Sequence, residues 1–326
     1  MEKRLIEYVQ LALHYQSNDI HFSITDSDIL IELKAKDKLV RFKPQEDDLR
    51  FFRYLQFRAN LDLGNTLMPQ TGRFDINIHG EKIALRFAVM HSLRITSGVL
   101  RILNAVSKLQ IQDLSNRSEI VNYFKNIENQ RNGLFIFSGP TGSGKTTTLY
   151  TILNQIKNKK IYTLEDPIEV YNQKYVQLQI NEKQALGYNE GIKQLLHHAP
   201  DIIMIGEIRD EEAAKMAIRC ALTGHLVLTT IHAGHSYLAI ERLIELGVSK
   251  HQLKDVLRGI SNQRLYNSLN NSGKICLYEI MQRKEIVNYL ETGKCESSKN
   301  LQTTLQEAIR RGEISIKEAK QDFDES

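Results

Sequence analysis

Several residue types are scarce in this chain of 326 residues, which has no tryptophan, five prolines and three cysteines. Cys220, Cys276 and Cys295 are widely spaced and form no C-x-x-C pair, so they support neither a structural zinc site nor a disulfide framework. No apolar stretch approaches the length of a membrane span, and the first residues lack the apolar core of a signal peptide. We therefore expect a cytoplasmic protein.

The net charge is also small, because 43 basic side chains nearly balance 39 acidic ones and leave +4. This balance gives little reason to expect nucleic-acid binding on charge alone. The chain is long enough for two domains, and 41% hydrophobic with 25% charged residues is ordinary for a globular protein.

The pattern of apolar residues changes along the chain. A helical pattern and short strand-like runs predict a small α+β domain over residues 1–108, and a polar stretch predicts a linker over 109–119. Strands that alternate with helices predict a mainly parallel sheet over 120–273. Helices predominate after about residue 237, and 274–326 is predicted to be a helical C-terminal region with a polar, frayed tail after Ala319.

A complete P-loop pattern, G-x-x-x-x-G-K-[ST], spans Gly139–Thr146, between a short apolar run and a helical pattern. Glycines in such a turn let backbone N–H groups face phosphate oxygens at a helix N-terminus. Lys145 is expected to reach the β- and γ-phosphates, and the Thr146 hydroxyl to ligate Mg²⁺. The residues expected to bind ATP are Gly139, Pro140, Thr141, Gly142, Ser143, Gly144, Lys145, Thr146 and Thr147.

Two acidic segments follow the P-loop. The apolar run Asp201–Glu207 is typical of a Walker B strand, and it places Glu207 where it would order a Mg²⁺-bound water. The run Thr163–Glu169 ends another strand with clustered carboxylates. Glu165 and Glu169 are both candidates for orienting the nucleophilic water, although such a run by itself is typical of a solvated turn.

Two histidines flank a further strand, with His225 at its start and His232 at its end. A histidine on a strand is usually structural. However, His232 occupies the position expected of a γ-phosphate sensor, and the residues alone leave both interpretations open.

Together and in this order, these runs resemble the secretion ATPases of type II secretion and type IV pilus systems. The family's Walker A, Asp box, Walker B and His box correspond here to Gly139–Thr146, Leu164–Glu169, Ile205–Asp210 and Thr223–His232. Further matching segments are Ser17–His21, Pro69–Arg73, Leu100–Leu103 and Gln263–Leu265, so that the resemblance covers roughly residues 12–285.

The resemblance implies a PAS-like N-terminal α+β domain followed by a recA-like α/β P-loop ATPase domain, with ATP bound at their junction. It also implies that Arg73, Arg86 and Arg101 match family arginines that close over the phosphates. The expected assembly is a homohexamer on the inner face of the cell membrane. Its implied partners are a polytopic platform protein and, indirectly, pilins, with no direct contact to nucleic acid.

Departures from the family pattern indicate the subtype. His197 and Ala199 stand where the family usually has arginine and aspartate, and the tetra-cysteine zinc module is missing. Ala308–Arg310 begins like the retraction motif, but the following residues do not match it. We therefore expect the assembly ATPase of Gram-positive competence pseudopili. Pilus retraction and type II secretion are the alternatives within the family, and a DNA translocase is the alternative from another class.

Overall fold

The computed structural model describes residues 1–15, 17–25, 28–35, 38–65, 67–103, 109–180, 186–270, 273–295 and 300–324. These residues form two compact units. The first comprises Met1–Val106 together with Glu169–Tyr171, and the second comprises Ser107–Ile168 and Asn172–Ser326. No helix within the described ranges has the length and apolar character needed to cross a bilayer.

The first unit is an antiparallel sheet of six strands in the order β3-β2-β1-β6-β5-β4, with two helices. Its elements are α1 (Glu2–His14), β1 (Asp19–Ile24), β2 (Ile29–Ala35), β3 (Lys38–Arg41), α2 (Asp48–Arg58), β4 (Gln70–Ile78), β5 (Glu81–His91) and β6 (Thr96–Leu103). Alternating side chains of β4 and β5 are buried, as expected for a sheet with one covered face. Phe22, Phe51 and Phe87 lie at the centre of that core.

The second unit contains a seven-stranded sheet in the order β13-β12-β7-β11-β10-β8-β9. All neighbouring strands are parallel except β12 and β13, which form an antiparallel pair. Its strands are β7 (Gly133–Ser138), β8 (Ile161–Glu165), β9 (Tyr175–Gln179), β10 (Ile202–Ile205), β11 (Leu226–Ile231), β12 (Leu257–Asn267) and β13 (Lys274–Gln282). Every residue of β7, β8, β10 and β11 is buried, which explains their continuous apolar runs.

Helices accompany this sheet along the chain. They are α3 (Ser118–Ile127), α4 (Lys145–Gln155), α5 (Tyr188–Leu196), α6 (Glu211–Leu222), α7 (Ser236–Glu245), α8 (Lys250–Val256), α9 (Arg283–Thr292), α10 (Leu301–Arg310) and α11 (Ile316–Asp324). The carboxyl ends of parallel strands meet at one edge of a sheet, where ligands bind in this class of fold. In this unit that edge carries the loops after β7, β8, β10 and β11.

The C-terminal region departs from its prediction in two respects. The strands β12 and β13 occupy residues 257–282, where helices were expected to predominate, and β13 lies at the start of the region predicted to be helical from 274. The residues after Ala319 are polar, but the fraying predicted for them is wrong as far as Asp324, because α11 extends to that residue.

Candidate functional site

The P-loop lies between β7 and α4, as its sequence pattern predicts. Gly142 and Gly144 have φ values of +78° and +87°, in the left-handed region that favours glycine. Gly139 also has positive φ, and a Cβ there would lie 2.5 Å from the Gln263 carbonyl oxygen. Only glycine therefore fits at this position, because the turn passes directly against β12.

Two buried side chains of β12 support this turn. The amide of Gln263 donates to the Ser143 carbonyl oxygen (2.7 Å), and the amide of Asn262 donates to the Ser138 hydroxyl (2.9 Å). Neither side chain exposes any surface to solvent. The P-loop is thus fixed to β12 by these side-chain hydrogen bonds, and it leads directly into α4, which begins at Lys145.

Lys145, His232 and Glu207 form a continuous set of contacts. The ammonium group of Lys145 donates to the carbonyl oxygens of Gly139 (2.8 Å) and Pro140 (2.9 Å), and it lies 3.4 Å from His232 Nδ1. The other ring nitrogen of His232, Nε2, lies 2.6 Å from Glu207 Oε1. One imidazole therefore contacts both the P-loop lysine and the carboxylate that follows β10.

Arg209 holds the second oxygen of the Glu207 carboxylate. Its Nε donates to Glu207 Oε2 (2.7 Å), and its Nη1 lies 3.7 Å from Asp166 Oδ2. The hydrogen bond to Glu207 raises the pKa of the Arg209 guanidinium. Arg209 thereby connects the loop after β10 with the loop after β8, and leaves Oε1 as the oxygen on the His232 side.

Glu165 has a different environment, although it ends the neighbouring strand. Its carboxylate is buried, and both oxygens accept the Tyr150 hydroxyl at 2.8 Å. Oε1 also accepts hydrogen bonds from the Thr163 hydroxyl (2.7 Å) and the Gln177 amide (3.2 Å). Burial is the main cause of the raised pKa of Tyr150, which keeps this hydroxyl protonated as a donor.

The structure does not bring His225 to this cluster. His225 precedes β11 at the end opposite His232, a separation of roughly 23 Å along an extended strand. Its Nδ1 lies 3.1 Å from the Thr223 hydroxyl, and its carbonyl accepts a hydrogen bond from the Gly133 N–H. These contacts connect the turn after α6 with the beginning of β7.

The first unit places the three candidate arginines in one row. Arg73 of β4 lies opposite Arg86 of β5, Arg86 lies opposite Arg101 of β6, and Arg101 lies opposite Asp19 of β1. Directly opposite residues share a face of the sheet. Two hydrogen bonds from Arg101 to Asp19, at 2.6 and 2.9 Å, are the main cause of the raised pKa of Arg101.

Glu169 belongs to the same unit as these arginines. Its negative charge also contributes to the raised pKa of Arg101, after the effect of Asp19. Like charges placed opposite each other destabilise a sheet, so a row of three arginines needs acidic neighbours or a bound anion. Asp19 and Glu169 supply acidic neighbours at the Arg101 end of this row.

The donor set near the P-loop is suited to Mg²⁺. Glu207 Oε1 is buried and accepts no hydrogen bond of ordinary geometry from the described residues, despite its short distance to His232. The Thr146 hydroxyl lies in the first turn of α4, next to Lys145. Hydroxyl and carboxylate oxygens are hard ligands, and Mg²⁺ usually takes one or two from the protein and the rest from phosphates and water. Among the described residues no cluster of three or more His, Cys, Asp or Glu suits a metal ion.

Sequence reasoning missed the supporting residues more than the reacting ones. Tyr150 appears in the sequence only as another buried position of α4, and Asn262 as part of a predicted helical region. The signal that could have found them is an excess of polar residues beside apolar ones in Gly259–Leu265, because a strand that buries polar side chains must give each of them a partner.

Comparison with known proteins agrees with this architecture. The family model described as "Type II/IV secretion system protein" matches residues 1–321. The chain is 31% identical over 337 residues to competence protein ComGA of Bacillus subtilis, covering 96% of this chain and 93% of the relative. It is 34% identical over 331 residues to ComGA of Halalkalibacterium halodurans, covering 95% of each.

More distant relatives share part of their length or their fold. Type II secretion system protein E of Xanthomonas campestris is 33% identical over 82% of this chain, which spans 48% of that protein. The Legionella pneumophila ATPase DotB has a TM-score of 0.80 at 19% identity, over all of this chain and 96% of the other. The retraction motor PilT with bound ADP has a TM-score of 0.73 at 23% identity, over 97% and 96%. The chain therefore belongs to the type II/IV secretion system protein family and is one of its ATP-hydrolysing enzymes.

Proposed function

We propose that this chain is the ATPase motor that assembles a type IV pilus-like filament for DNA uptake in competence. The observation that carries the proposal is the contact of one imidazole, His232, with both Lys145 and Glu207. Support for the cellular role comes from the two relatives named competence protein ComGA, each matched over almost its whole length. We further propose that the working form is a homohexamer at the cytoplasmic face of the membrane, where it acts on a polytopic platform protein that inserts pilins.

Each residue of the cluster has a distinct task in this proposal. Lys145 would neutralise the β- and γ-phosphates, since its ammonium group can exchange the P-loop carbonyls for phosphate oxygens. Glu207 would orient the attacking water and accept its proton. His232 would report the γ-phosphate to Glu207, because a shift of its ring changes both contacts. Mg²⁺ held by Thr146, and through water by Glu207, would supply charge neutralisation at the phosphates when bound.

A cavity beside the P-loop fits the remaining part of the nucleotide. It has a volume of about 420 Å³ and lies entirely within the second unit. Its walls combine Gly144 and Thr147 of the P-loop with Leu114 of the linker and Ile275 of β13. Hydroxyl and amide side chains line much of the remaining wall, and apolar surface combined with such polar groups suits a planar heteroaromatic ligand. We propose that the adenine base binds there, which places the triphosphate along the glycine turn.

Purified protein tests the enzymatic part. Lys145→Ala should abolish ATP turnover and weaken binding of a fluorescent ATP analogue, because the positive charge at the phosphates is lost. Lys159→Ala is the matched control, since Lys159 is a surface lysine whose ammonium donates to the Glu128 carbonyl oxygen. Turnover by Lys145→Ala at the level of this control would contradict the proposal. Light scattering with and without nucleotide would test the hexamer.

Cells test the role in DNA uptake. An allele encoding Glu207→Gln, exchanged at the native locus, should abolish transformation, whereas Glu211→Gln should preserve it. Glu211 lies on the exposed start of α6 and pairs with Lys215, so it reports the effect of the amide exchange alone. Normal transformation by the Glu207→Gln cells would exclude the competence role. If transformation is normal but filament retraction or protein secretion fails, one of the two alternatives within the family is correct.

A further inference from the structure

The loop that carries His232 is held by polar side chains of β12. This loop, residues 232–235, connects β11 to α7. The Asn262 amide donates to the Ala233 carbonyl oxygen at 2.9 Å. Arg264 Nη2 donates to the next carbonyl oxygen, that of Gly234, at 3.0 Å. Two consecutive carbonyls of the loop are therefore fixed within two residues of the imidazole.

Arg264 is itself fixed by the C-terminal helix α11. The side chain is buried, with 8% of its surface exposed. Its Nε donates to Asp322 Oδ1 at 3.0 Å, and the other carboxylate oxygen of Asp322 accepts the Tyr266 hydroxyl at 2.7 Å. Arg264 Nη1 is buried without a hydrogen-bond partner among the described residues. The guanidinium thus has two anchors, the Asp322 carboxylate and the Gly234 carbonyl.

We propose that Asp322 is a positioning residue for ATP hydrolysis. It acts through Arg264 on the backbone of loop 232–235, and so on the placement of His232 against Glu207 and Lys145. The inference rests on the proposed hydrolytic role of that cluster. It makes α11, which lies far from the P-loop in sequence, a part of the catalytic unit.

The geometry of arginine explains why one carboxylate can have this effect. The guanidinium is planar and rigid, so an anchor at Nε also fixes the direction in which Nη2 points. Without Asp322, a buried positive charge would lose its anionic partner and turn toward water or another acceptor. The Gly234 carbonyl would then lose its donor, and the loop would gain freedom at the residues next to His232.

The chain provides a matched control on the same helix. Glu318 also joins α11 to β12, because its Oε1 accepts hydrogen bonds from the Asn267 N–H (3.1 Å) and the Asn267 amide (2.6 Å). It makes no contact with Arg264 in the described structure. Glu318→Ala therefore loosens the helix without removing the anchor of the guanidinium, and Tyr266→Phe removes only the other partner of Asp322.

The experiment is a kinetic comparison in the full-length protein. Asp322→Ala should lower kcat about threefold to tenfold and leave the KM for ATP and the binding of a fluorescent ATP analogue unchanged. Asp322→Asn keeps an oxygen acceptor for Nε and should retain more of the wild-type kcat. Glu318→Ala and Tyr266→Phe should keep kcat near the wild-type value. Arg264→Lys should lower kcat, because a single ammonium group cannot hold the Asp322 carboxylate and the Gly234 carbonyl in the geometry that the rigid guanidinium gives.

A double-mutant cycle then tests whether Asp322 acts on the site through Arg264. In the Arg264→Lys background, Asp322→Ala should produce no further loss of kcat. Equal losses in Glu318→Ala and Asp322→Ala, or losses that multiply in the cycle, would overturn the inference. If Asp322→Ala does not fold, Asp322→Asn takes its place in the cycle, where its smaller loss of kcat should also disappear in the Arg264→Lys background. A wild-type protein without turnover would instead contradict the proposed function, whereas wild-type turnover with an unaffected Asp322→Ala variant would contradict this inference alone.

Discussion

The ends of β8 and β10 lie side by side in the parallel sheet, and each carries a glutamate: Glu165 is the last residue of β8, and Glu207 lies two residues after the end of β10. The two glutamates have different environments. Glu165 accepts hydrogen bonds from the neutral groups of Tyr150, Thr163 and Gln177. Glu207 contacts the ring of His232 and the guanidinium of Arg209. Both strands end at the edge where ligands bind, so strand position alone does not distinguish the two carboxylates.

The difference shows that two carboxylates at the same edge of one sheet can be suited to different roles. Glu165 is suited to structural support, and Glu207 is suited to the reaction. The donors around Glu165 hold α4 (Tyr150), β8 (Thr163) and β9 (Gln177) to one buried acceptor. The groups around Glu207 belong to loops and are half-exposed, with 49% of the His232 side chain and 58% of the Arg209 side chain accessible. A carboxylate whose oxygens are already occupied by buried donors is suited to packing. One that contacts half-exposed groups with exchangeable protons is suited to proton transfer.

Glycine makes this separation sterically possible. Gly206 lies next to the end of β8, where its N–H donates to the Leu164 carbonyl oxygen at 2.8 Å, and a Cβ at Gly206 would lie 3.3 Å from Glu165 Cγ. That is tighter than an ordinary contact, so a larger residue would press on the buried carboxylate. A residue with a Cβ between β10 and Glu207 would therefore require Glu165 to move by a few tenths of an ångström.

The largest expected effect is that of Glu207→Gln. The amide cannot accept a proton, and we expect kcat to fall by about 100-fold or more, as for loss of a general base. Steady-state ATP turnover of the purified protein is the measurement, with Glu211→Gln as the control on α6. Unchanged turnover in Glu207→Gln would contradict the assignment of different roles to Glu207 and Glu165.

A smaller loss is expected from His232→Ala. Removing the imidazole takes away a contact to a charged group on each side, worth about tenfold in rate. His225→Ala is the control from the opposite end of the same strand, and its kcat should equal that of the wild type. Equal losses in both variants would mean that the histidines act on the stability of β11 rather than on the site.

Glu165→Gln should affect stability more than rate. The amide nitrogen would face the Tyr150 hydroxyl or the Thr163 hydroxyl, both of which need an acceptor, at a cost of about 1–3 kcal/mol in the free energy of unfolding. Chemical denaturation followed by circular dichroism measures it. An unfolding free energy equal to that of the wild type would show that the buried network does not stabilise this strand end.

Tyr150→Phe is expected to have the smallest effect on turnover. It removes a donor from the buried Glu165 carboxylate and so lowers stability at neutral pH, but its distinguishing effect is on the pH dependence of stability at alkaline pH. The pKa of Tyr150 is raised in the folded protein, so the unfolded chain loses this proton first as the pH rises above about 10. Folded stability therefore decreases with pH in that range, and Tyr150→Phe should make the decrease shallower. Tyr171→Phe, at an exposed tyrosine, is the control. Identical slopes for the two variants would contradict this assignment.

The sequence predicted the reacting part of the second unit well. The strands expected before the P-loop, before Glu207 and between His225 and His232 are all present, because fully buried parallel strands appear as continuous apolar runs. The three arginines of the first unit were singled out only by resemblance, and their arrangement in a row was not predicted, since strand register is not visible in a single sequence. The structure places those three residues opposite one another.

The supporting part was not predictable for a physical reason. In β12, Asn262, Gln263 and Arg264 are all buried. They interrupt both the alternation of a half-buried strand and the apolar run of a buried one. Their polar atoms are satisfied by the P-loop, the loop 232–235 and α11, which are distant in sequence. The partners that make this strand stable therefore become visible only in the folded chain.

The most direct test of the account compares Glu207→Gln with Glu165→Gln in one preparation, by ATP turnover and thermal unfolding. The account predicts that Glu207→Gln loses turnover while its unfolding temperature stays near that of the wild type. It predicts that Glu165→Gln unfolds at a lower temperature and, while folded, retains turnover. A folded but inactive Glu165→Gln beside an active Glu207→Gln would contradict it.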